Sequence, residues 1–190
     1  MNNTGSKPAY ISHVLYRTRQ MDAMVRWYEA VLQAKVSYRN DMVAFLSFDD
    51  EHHRLALAQT EAAVERPPAQ AGHVCFGFAD FGGLVQTYER LKQEEGILPE
   101  RPVNHGMTTS LYYRDPDGNG VELAVDNFPT KAEGMAVISG KDMEYLGRPP
   151  FGFAFDPDDL VRLYHTGASH GELARIGMPK DVVLSAGASG

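Results

Sequence analysis

The sequence repeats itself at an offset of 60 residues, and this repeat limits the possible folds more than any other feature. Identical residues recur in the pairs His13/His73, Val14/Val74, Val25/Val85, Tyr28/Tyr88, Glu29/Glu89 and Gln33/Gln93. In each half, a strand-like run comes first and a helical run with one apolar face follows. Three more strand-like runs complete each half, so the pattern predicts an α+β fold built from two βαβββ modules.

The repeat also suggests where the chain divides. Module 1 covers about residues 8–60 and module 2 about 71–128, so that 1–128 forms one domain, and the Pro-containing run TEAAVERPPAQA joins the modules. Residues 129–190 have no counterpart in the repeat and read as a C-terminal helical tail. One tail helix has Asp156 as its N-cap and Pro157 at its first position, and Ser169 with Glu172 forms a capping box for another.

Composition excludes several classes of function. The net charge is −7, from 18 basic and 25 acidic residues, which argues against nucleic acid as a partner. The single cysteine, Cys75, excludes an intramolecular disulfide framework. No apolar run approaches the ~18 residues of a membrane span, and no signal peptide is visible, so we expect a soluble, cytoplasmic protein.

Strand alternation places two metal-binding side chains on faces lined by small residues. His73 shares a face with Cys75 and Gly77, and Glu122 shares one with Gly120 and Ala124. His13 occupies the place in module 1 that His73 occupies in module 2. Two imidazoles and one carboxylate form the facial triad of non-haem Fe(II) oxygenases, and a cation would offset the cost of placing a carboxylate inside a strand. Each of these residues alone would more often be an ordinary polar strand residue.

The sequence resembles the vicinal oxygen chelate superfamily in three features: its two modules, the histidine that opens each module, and the segment YYRDPDGNGVEL at residues 112–123. Within it they resemble the type I extradiol ring-cleaving dioxygenases. The resemblance covers about residues 8–128, and its turn and last strand are common to the whole superfamily. It implies that the modules form a half-open eight-stranded barrel, with His13, His73 and Glu122 as metal ligands.

Three further residues resemble positions that the dioxygenases use in catalysis. The segment EHHRLALA resembles the one that supplies an acid-base histidine, and its His-x-x-Ala spacing selects His53, although a bulge would make His52 the inward residue. Tyr112 falls where the family keeps an active-site tyrosine. His105 resembles an additional histidine near the substrate, in a loop of looser spacing.

The resemblance implies an enzyme that cleaves a catechol-type aromatic diol with O2. The implied cofactor is Fe2+, with Mn2+ as the alternative, and the implied assembly is a homodimer. Three alternatives stay open, namely a glyoxalase-like isomerase, a thiol transferase that modifies antibiotics, and a metal-free module that binds small molecules. Isomerases of this type usually end the first module with a second glutamate, whereas HHRLALAQ supplies alanine and leucine.

Overall fold

The computed structural model describes residues 11–61, 72–139, 152–182 and 184. Chain contacts divide the protein into two compact units. Unit 1 comprises Met1–Ala69 and Asp115–Asp117, and unit 2 comprises Gln70–Arg114 and Gly118–Gly190. The α+β class is confirmed, because the described residues form two mixed sheets of four and five strands together with five α-helices.

Unit 1 contains the first βαβββ segment. Its elements are β1 (Val14–Thr18), α1 (Met21–Leu32), β2 (Lys35–Arg39), β3 (Val43–Ser47) and β4 (Leu55–Gln59). The sheet order is β1-β4-β3-β2, in which β1 and β4 run parallel and the other pairs antiparallel. The apolar face of α1 buries Met24, Tyr28 and Val31, as the helical spacing of the sequence predicts.

Unit 2 repeats this order and adds the tail. Its elements are β5 (Val74–Phe78), α2 (Phe81–Arg90), β6 (Arg101–Asn104), β7 (Thr108–Arg114), β8 (Gly120–Asp126), α3 (Lys131–Ser139), β9 (Phe153–Ala154), α4 (Pro157–His165) and α5 (His170–Leu173). A π-helical turn, Leu91–Glu95, extends α2. The sheet order is β5-β8-β7-β6-β9, and β5 runs parallel to β8.

The tail is not purely helical, contrary to the sequence prediction. Strand β9 pairs antiparallel with β6 and becomes the edge of the sheet, because two residues of extended chain suffice for a short edge pairing. The predicted helix starts are confirmed: the Asp156 side chain accepts a bond from the Asp158 amide, and Ser169 and Glu172 form the capping box. Residues 140–151 of the predicted tail lie outside the described residues.

A buried amide network fastens the tail to the sheet of unit 2. The Asn104 side chain is fully buried and donates to the carbonyl oxygens of Ala174 and Ile176, each at 2.9 Å. Its own oxygen accepts from the Gly106 amide and from Asn127 Nδ2, again at 2.9 Å. Every polar atom of this side chain is thereby satisfied, which fixes the end of β6 immediately before His105.

None of the helices in the described ranges has the length and apolar character that a membrane-crossing segment requires.

Candidate functional site

The predicted ligands His73 and Glu122 form a preformed pair in unit 2. His73 Nε2 lies 2.8 Å from Glu122 Oε2, and Glu122 is only 6% exposed. Burial of a carboxylate is costly without a partner, and the imidazole supplies that partner here. Both groups are metal donors of the kind that iron and zinc accept, so the chemistry of the pair fits a divalent cation.

Both predicted histidine ligands stand directly before a strand and not inside one, which corrects the strand starts taken from the sequence. His13 precedes Val14 of β1, and His73 precedes Val74 of β5. The ladder partners explain the difference, because pairing begins only at Val14 with Leu55 and at Val74 with Val121. The two histidines therefore keep their equivalent positions, now at the openings of the parallel strands.

Four side chains form one row across the sheet of unit 2. Cys75 on β5 pairs with Glu122 on β8, Glu122 pairs with Tyr112 on β7, and Tyr112 pairs with Arg101 on β6. Directly paired residues project to the same face of a sheet, so thiol, carboxylate, phenol and guanidinium stand side by side. The neighbouring row on this face carries the small residues Gly77, Ala124 and Ser110. The predicted uncrowded face is confirmed, and the opposite face buries the bulky Val121 and Leu123.

Tyr112 connects the other predicted site residues of unit 2. His105 Nε2 lies 2.9 Å from the Tyr112 hydroxyl oxygen, and the His73 ring meets the Tyr112 ring edge to face at 5.2 Å. Burial, followed by the negative charge of Glu122, raises the pKa of Tyr112 above its usual value. The phenol consequently stays protonated at neutral pH and can donate a hydrogen bond.

Cys75 stands at the end of the row next to Glu122. Burial, and then the adjacent Glu122 carboxylate, raises the pKa of the Cys75 thiol to about 12. The thiol therefore stays neutral at physiological pH, although the residue as a whole is exposed. A neutral thiol is a poor ligand compared with the His73 and Glu122 pair beside it.

Gly120 makes room for the His73 and Glu122 pair. A Cβ atom at position 120 would lie 2.2 Å from the Gly72 carbonyl oxygen and 3.0 Å from His73 Cβ. No side chain larger than hydrogen fits there without moving the backbone that carries His73. By contrast, a Cβ at Gly77 on the same face would meet nothing within 4 Å.

In unit 1, His53 lies beside His13. The two ring centroids are 4.6 Å apart, and the His53 ring also stacks on Phe45 at 4.6 Å. His52 is 69% exposed at its side chain and lies 3.4 Å from Glu51. Burial, followed by the charges of His52 and His13, lowers the pKa of His53. This arrangement favours His53 over His52 as the inward residue of EHHRLALA.

Unit 1 lacks the carboxylate that unit 2 has in its parallel strand pair. Cys75 and Glu122 face each other across β5 and β8, and the equivalent register in unit 1 pairs Leu15 with Ala56. The buried Ala56 cannot bind a metal. The described part of the chain also holds no ready-made group of three or more His, Cys, Asp or Glu side chains arranged for a metal. His13 as the third ligand therefore stays a prediction.

The fold agrees with the comparisons with known proteins. Residues 10–123 match the model of the Glyoxalase/Bleomycin resistance protein/Dioxygenase superfamily. The chain belongs to this superfamily. It is 47% identical over 149 residues to biphenyl-2,3-diol 1,2-dioxygenase 2 of Rhodococcus globerulus, which is 77% of this chain and 76% of the relative. It is 43% identical over 167 residues to biphenyl-2,3-diol 1,2-dioxygenase 3 of the same organism, which is 86% of each protein.

A solved structure of the superfamily supports the fold alone. The lactoylglutathione lyase of Agrobacterium tumefaciens superposes with a TM-score of 0.51 at 22% identity, covering 63% of this chain and 96% of that protein. At this level of identity, the likeness says nothing about the reaction.

Sequence reasoning about this superfamily member missed Arg101 and the steric role of Gly120. Arg101 lies in one of the strand-like runs that complete the second half of the repeat, but only the register of β6 with β7 places it opposite Tyr112. The guanidinium carbon of Arg101 lies 4.4 Å from the centroid of the Tyr112 ring. No signal in the linear sequence distinguishes it from the other arginines.

A polar groove of about 790 Å³ lies elsewhere in unit 1, at the start of α1. Arg19, Asp22, Arg26 and Arg39 line it, and Arg39 forms an ion pair with Asp22. None of the predicted site residues lines this groove, so its size alone does not connect it with the site.

Proposed function

We propose that the protein is an extradiol dioxygenase that cleaves the ring of a catechol-type aromatic diol with O2. One observation carries this proposal: Glu122 and Tyr112 stand side by side on an uncrowded sheet face. His73 contacts both of these residues, and His105 contacts Tyr112. The prediction of this enzyme class is confirmed by two relatives that are 47% and 43% identical over most of the chain. Their names make biphenyl-2,3-diol the first substrate to test.

The relatives imply a metal cofactor, and we propose Fe2+, with Mn2+ as the alternative. His73 and Glu122 would hold it together with His13, and the donor set of two imidazoles and one carboxylate supports iron. When bound, the metal supplies Lewis acidity that favours the ionised diol and an open position for dioxygen. Metal binding would replace the hydrogen bond between His73 and Glu122 with two metal–ligand bonds.

The protein's own side chains would orient the diol and move its protons. Tyr112, kept protonated by its raised pKa, would donate a hydrogen bond to a diol oxygen, and His105 would fix the direction of the Tyr112 hydroxyl. His53 would accept and return protons, since a lowered pKa keeps its imidazole neutral near pH 7, with one ring nitrogen free to accept a proton. The half-open eight-stranded barrel, the homodimer and the cytoplasmic location also remain proposals.

The alternative of a glyoxalase-like isomerase is less well supported. Such enzymes usually have a second glutamate at the end of the first module, and Ala56 occupies the register position that corresponds to Glu122. A thiol transferase would share the ligand set, but the contact of His53 with His13 and the hydrogen bond between His105 and Tyr112 favour the dioxygenase.

The direct test is to load the protein with Fe(II) without oxygen, add catechol or biphenyl-2,3-diol with air, and follow the coloured ring-opened product. Absence of product from a broad panel of diols, with iron shown to be bound, would exclude the proposal. If metal analysis finds that zinc or nickel co-purifies with the protein, the alternative functions would be favoured.

Two variants separate the proposed roles. Glu122→Ala should lose most of its iron, because the buried anionic ligand is gone. His53→Ala should keep its iron and lose turnover by about 10²-fold or more. His52→Ala is the matched control, since this exposed neighbour should leave both iron content and turnover close to wild type. Loss of iron in His53→Ala, or full turnover in it, would contradict the assignment.

A further inference from the structure

Arg101 stands at the end of the site row and has no acidic partner among the residues that the structure describes. Its guanidinium lies over the Tyr112 ring, and no carboxylate in the described ranges forms an ion pair with it. Arg114, on the strand next to it, has a carboxylate partner in Glu100 at 3.1 Å. The charge of Arg114 is therefore balanced by a neighbour, whereas no described carboxylate balances that of Arg101.

The contact with Tyr112 leaves Arg101 able to bind an anion. The Tyr112 ring attracts the cation, and its single hydroxyl oxygen can occupy only part of the five N–H donors of the guanidinium. Donors therefore remain available for a further acceptor. A carboxylate matches that fork with two parallel hydrogen bonds. The residue is exposed and therefore accessible to a small molecule at this face.

The spacing of the row relates Arg101 to the proposed diol position. Neighbouring strands are about 4.8 Å apart, so the β6 strand of Arg101 lies roughly 10 Å from the β8 strand of Glu122, with Tyr112 between them. A diol whose oxygens lie near Glu122 and Tyr112 could extend a short ring substituent over this distance. The substituent would then meet the guanidinium of Arg101.

We propose that Arg101 is a specificity-determining residue that binds an anionic substituent, a carboxylate, on the aromatic diol substrate. The inference rests on the proposed function, because it assumes that the diol binds at the row of Glu122 and Tyr112. It adds a substrate class, the carboxylated catechols, to the proposed reaction.

The test compares diols that differ only in charge. The matched ligands are 2,3-dihydroxybenzoate and its amide, and 3,4-dihydroxybenzoate and its amide, with biphenyl-2,3-diol as a further neutral diol. Dissociation constants are measured without oxygen by calorimetry, for the Fe(II)-loaded and the metal-free protein, and kcat/KM is measured in air. The metal-free series removes any direct effect of the carboxylate on the metal.

Wild type should bind one of the carboxylates about tenfold more tightly than its amide, as one charge-assisted interaction predicts. Arg101→Gln should abolish this ratio, and Arg101→Lys should retain part of it, since it keeps the charge without the fork. Arg114→Gln is the matched control and should leave the ratio unchanged. Because the readout is a ratio, a general loss of Tyr112 positioning in Arg101→Gln would affect both ligands and cancel.

Equal affinity of wild type for carboxylate and amide, or an unchanged ratio in Arg101→Gln, would overturn the inference. Turnover of neutral diols together with either result would leave the dioxygenase proposal standing. Conversely, absence of any ring-opened product with iron bound would remove the proposed function, while the metal-free binding ratios would still decide whether Arg101 selects an anion.

Discussion

Replacing Gly120 with alanine should pull apart the His73 and Glu122 pair. The new Cβ would lie 2.2 Å from the Gly72 carbonyl oxygen, whereas ordinary van der Waals contact begins at 3.4 Å. The backbone at Gly72 must therefore retreat by roughly 1 Å, and His73 is the next residue. A movement of this size stretches the 2.8 Å contact between His73 Nε2 and Glu122 Oε2 beyond hydrogen-bond length.

Two magnitudes follow from this displacement. Overpacking of this kind costs about 1–3 kcal/mol in the free energy of unfolding. Disturbing the orientation of a metal ligand typically lowers metal affinity by about 10- to 100-fold. Urea denaturation of the metal-free protein measures the first effect, and calorimetric titration with Fe(II) without oxygen measures the second.

Gly77→Ala is the matched control for this prediction. It adds the same methyl group to the same sheet face, but nothing lies within 4 Å of the new atom. Its stability should equal that of wild type or exceed it by up to about 1 kcal/mol, because alanine restricts the unfolded chain. The steric reasoning is refuted if Gly120→Ala binds metal and resists urea as well as Gly77→Ala does.

Two further predictions concern the attachment of the tail to unit 2. Asn104→Ala should lower the free energy of unfolding by about 2–3 kcal/mol, because the buried carbonyl oxygens of Ala174 and Ile176 lose their hydrogen-bond donor. Urea denaturation measures this loss, and an unchanged denaturation midpoint would contradict the prediction. Lys92 Nζ donates to both carboxylate oxygens of Asp158, at 2.6 and 2.7 Å, and thereby lowers the pKa of Asp158. The ionised carboxylate therefore stabilises the fold above its ordinary pKa of about 4, and this stabilisation is lost as pH falls through the lowered pKa. Asp158→Asn should therefore lower Tm slightly at pH 7, since the pair is half-exposed. The difference from wild type should shrink as pH falls below the ordinary carboxyl pKa of about 4, and a constant difference at every pH would contradict the reasoning.

The order of the elements was readable from the sequence because it depends on local patterns. Hydrophobic periodicity identified α1 and α2, and the 60-residue repeat identified the βαβββ order of both halves. The helix start at Asp156 and the capping box at Ser169 were also readable, since caps are local hydrogen bonds. Strand β9 escaped notice because two residues carry no period, and its pairing partner is far away in sequence.

The chemical identity of the site residues was likewise visible in the sequence, but their contacts were not. Glu122 stood out as a carboxylate inside an apolar strand, and His73 stood out through its repeat partner. Only the ladder register made Tyr112 the direct neighbour of Glu122 and put Arg101 beyond it. A shift of one residue in that register would turn every one of these side chains to the opposite face.

The sequence by itself therefore determined the fold class, the module order and the residue types that the superfamily's metal chemistry needs. Tertiary structure alone decided that His73 already pairs with Glu122, that Gly120 leaves the space for this pair, and that Arg101 ends the row over the Tyr112 ring. The physical reason is range. Helix caps and periodicity act over a few residues, whereas strand register and steric clearance join segments that are tens of residues apart and follow only from the packed sheet.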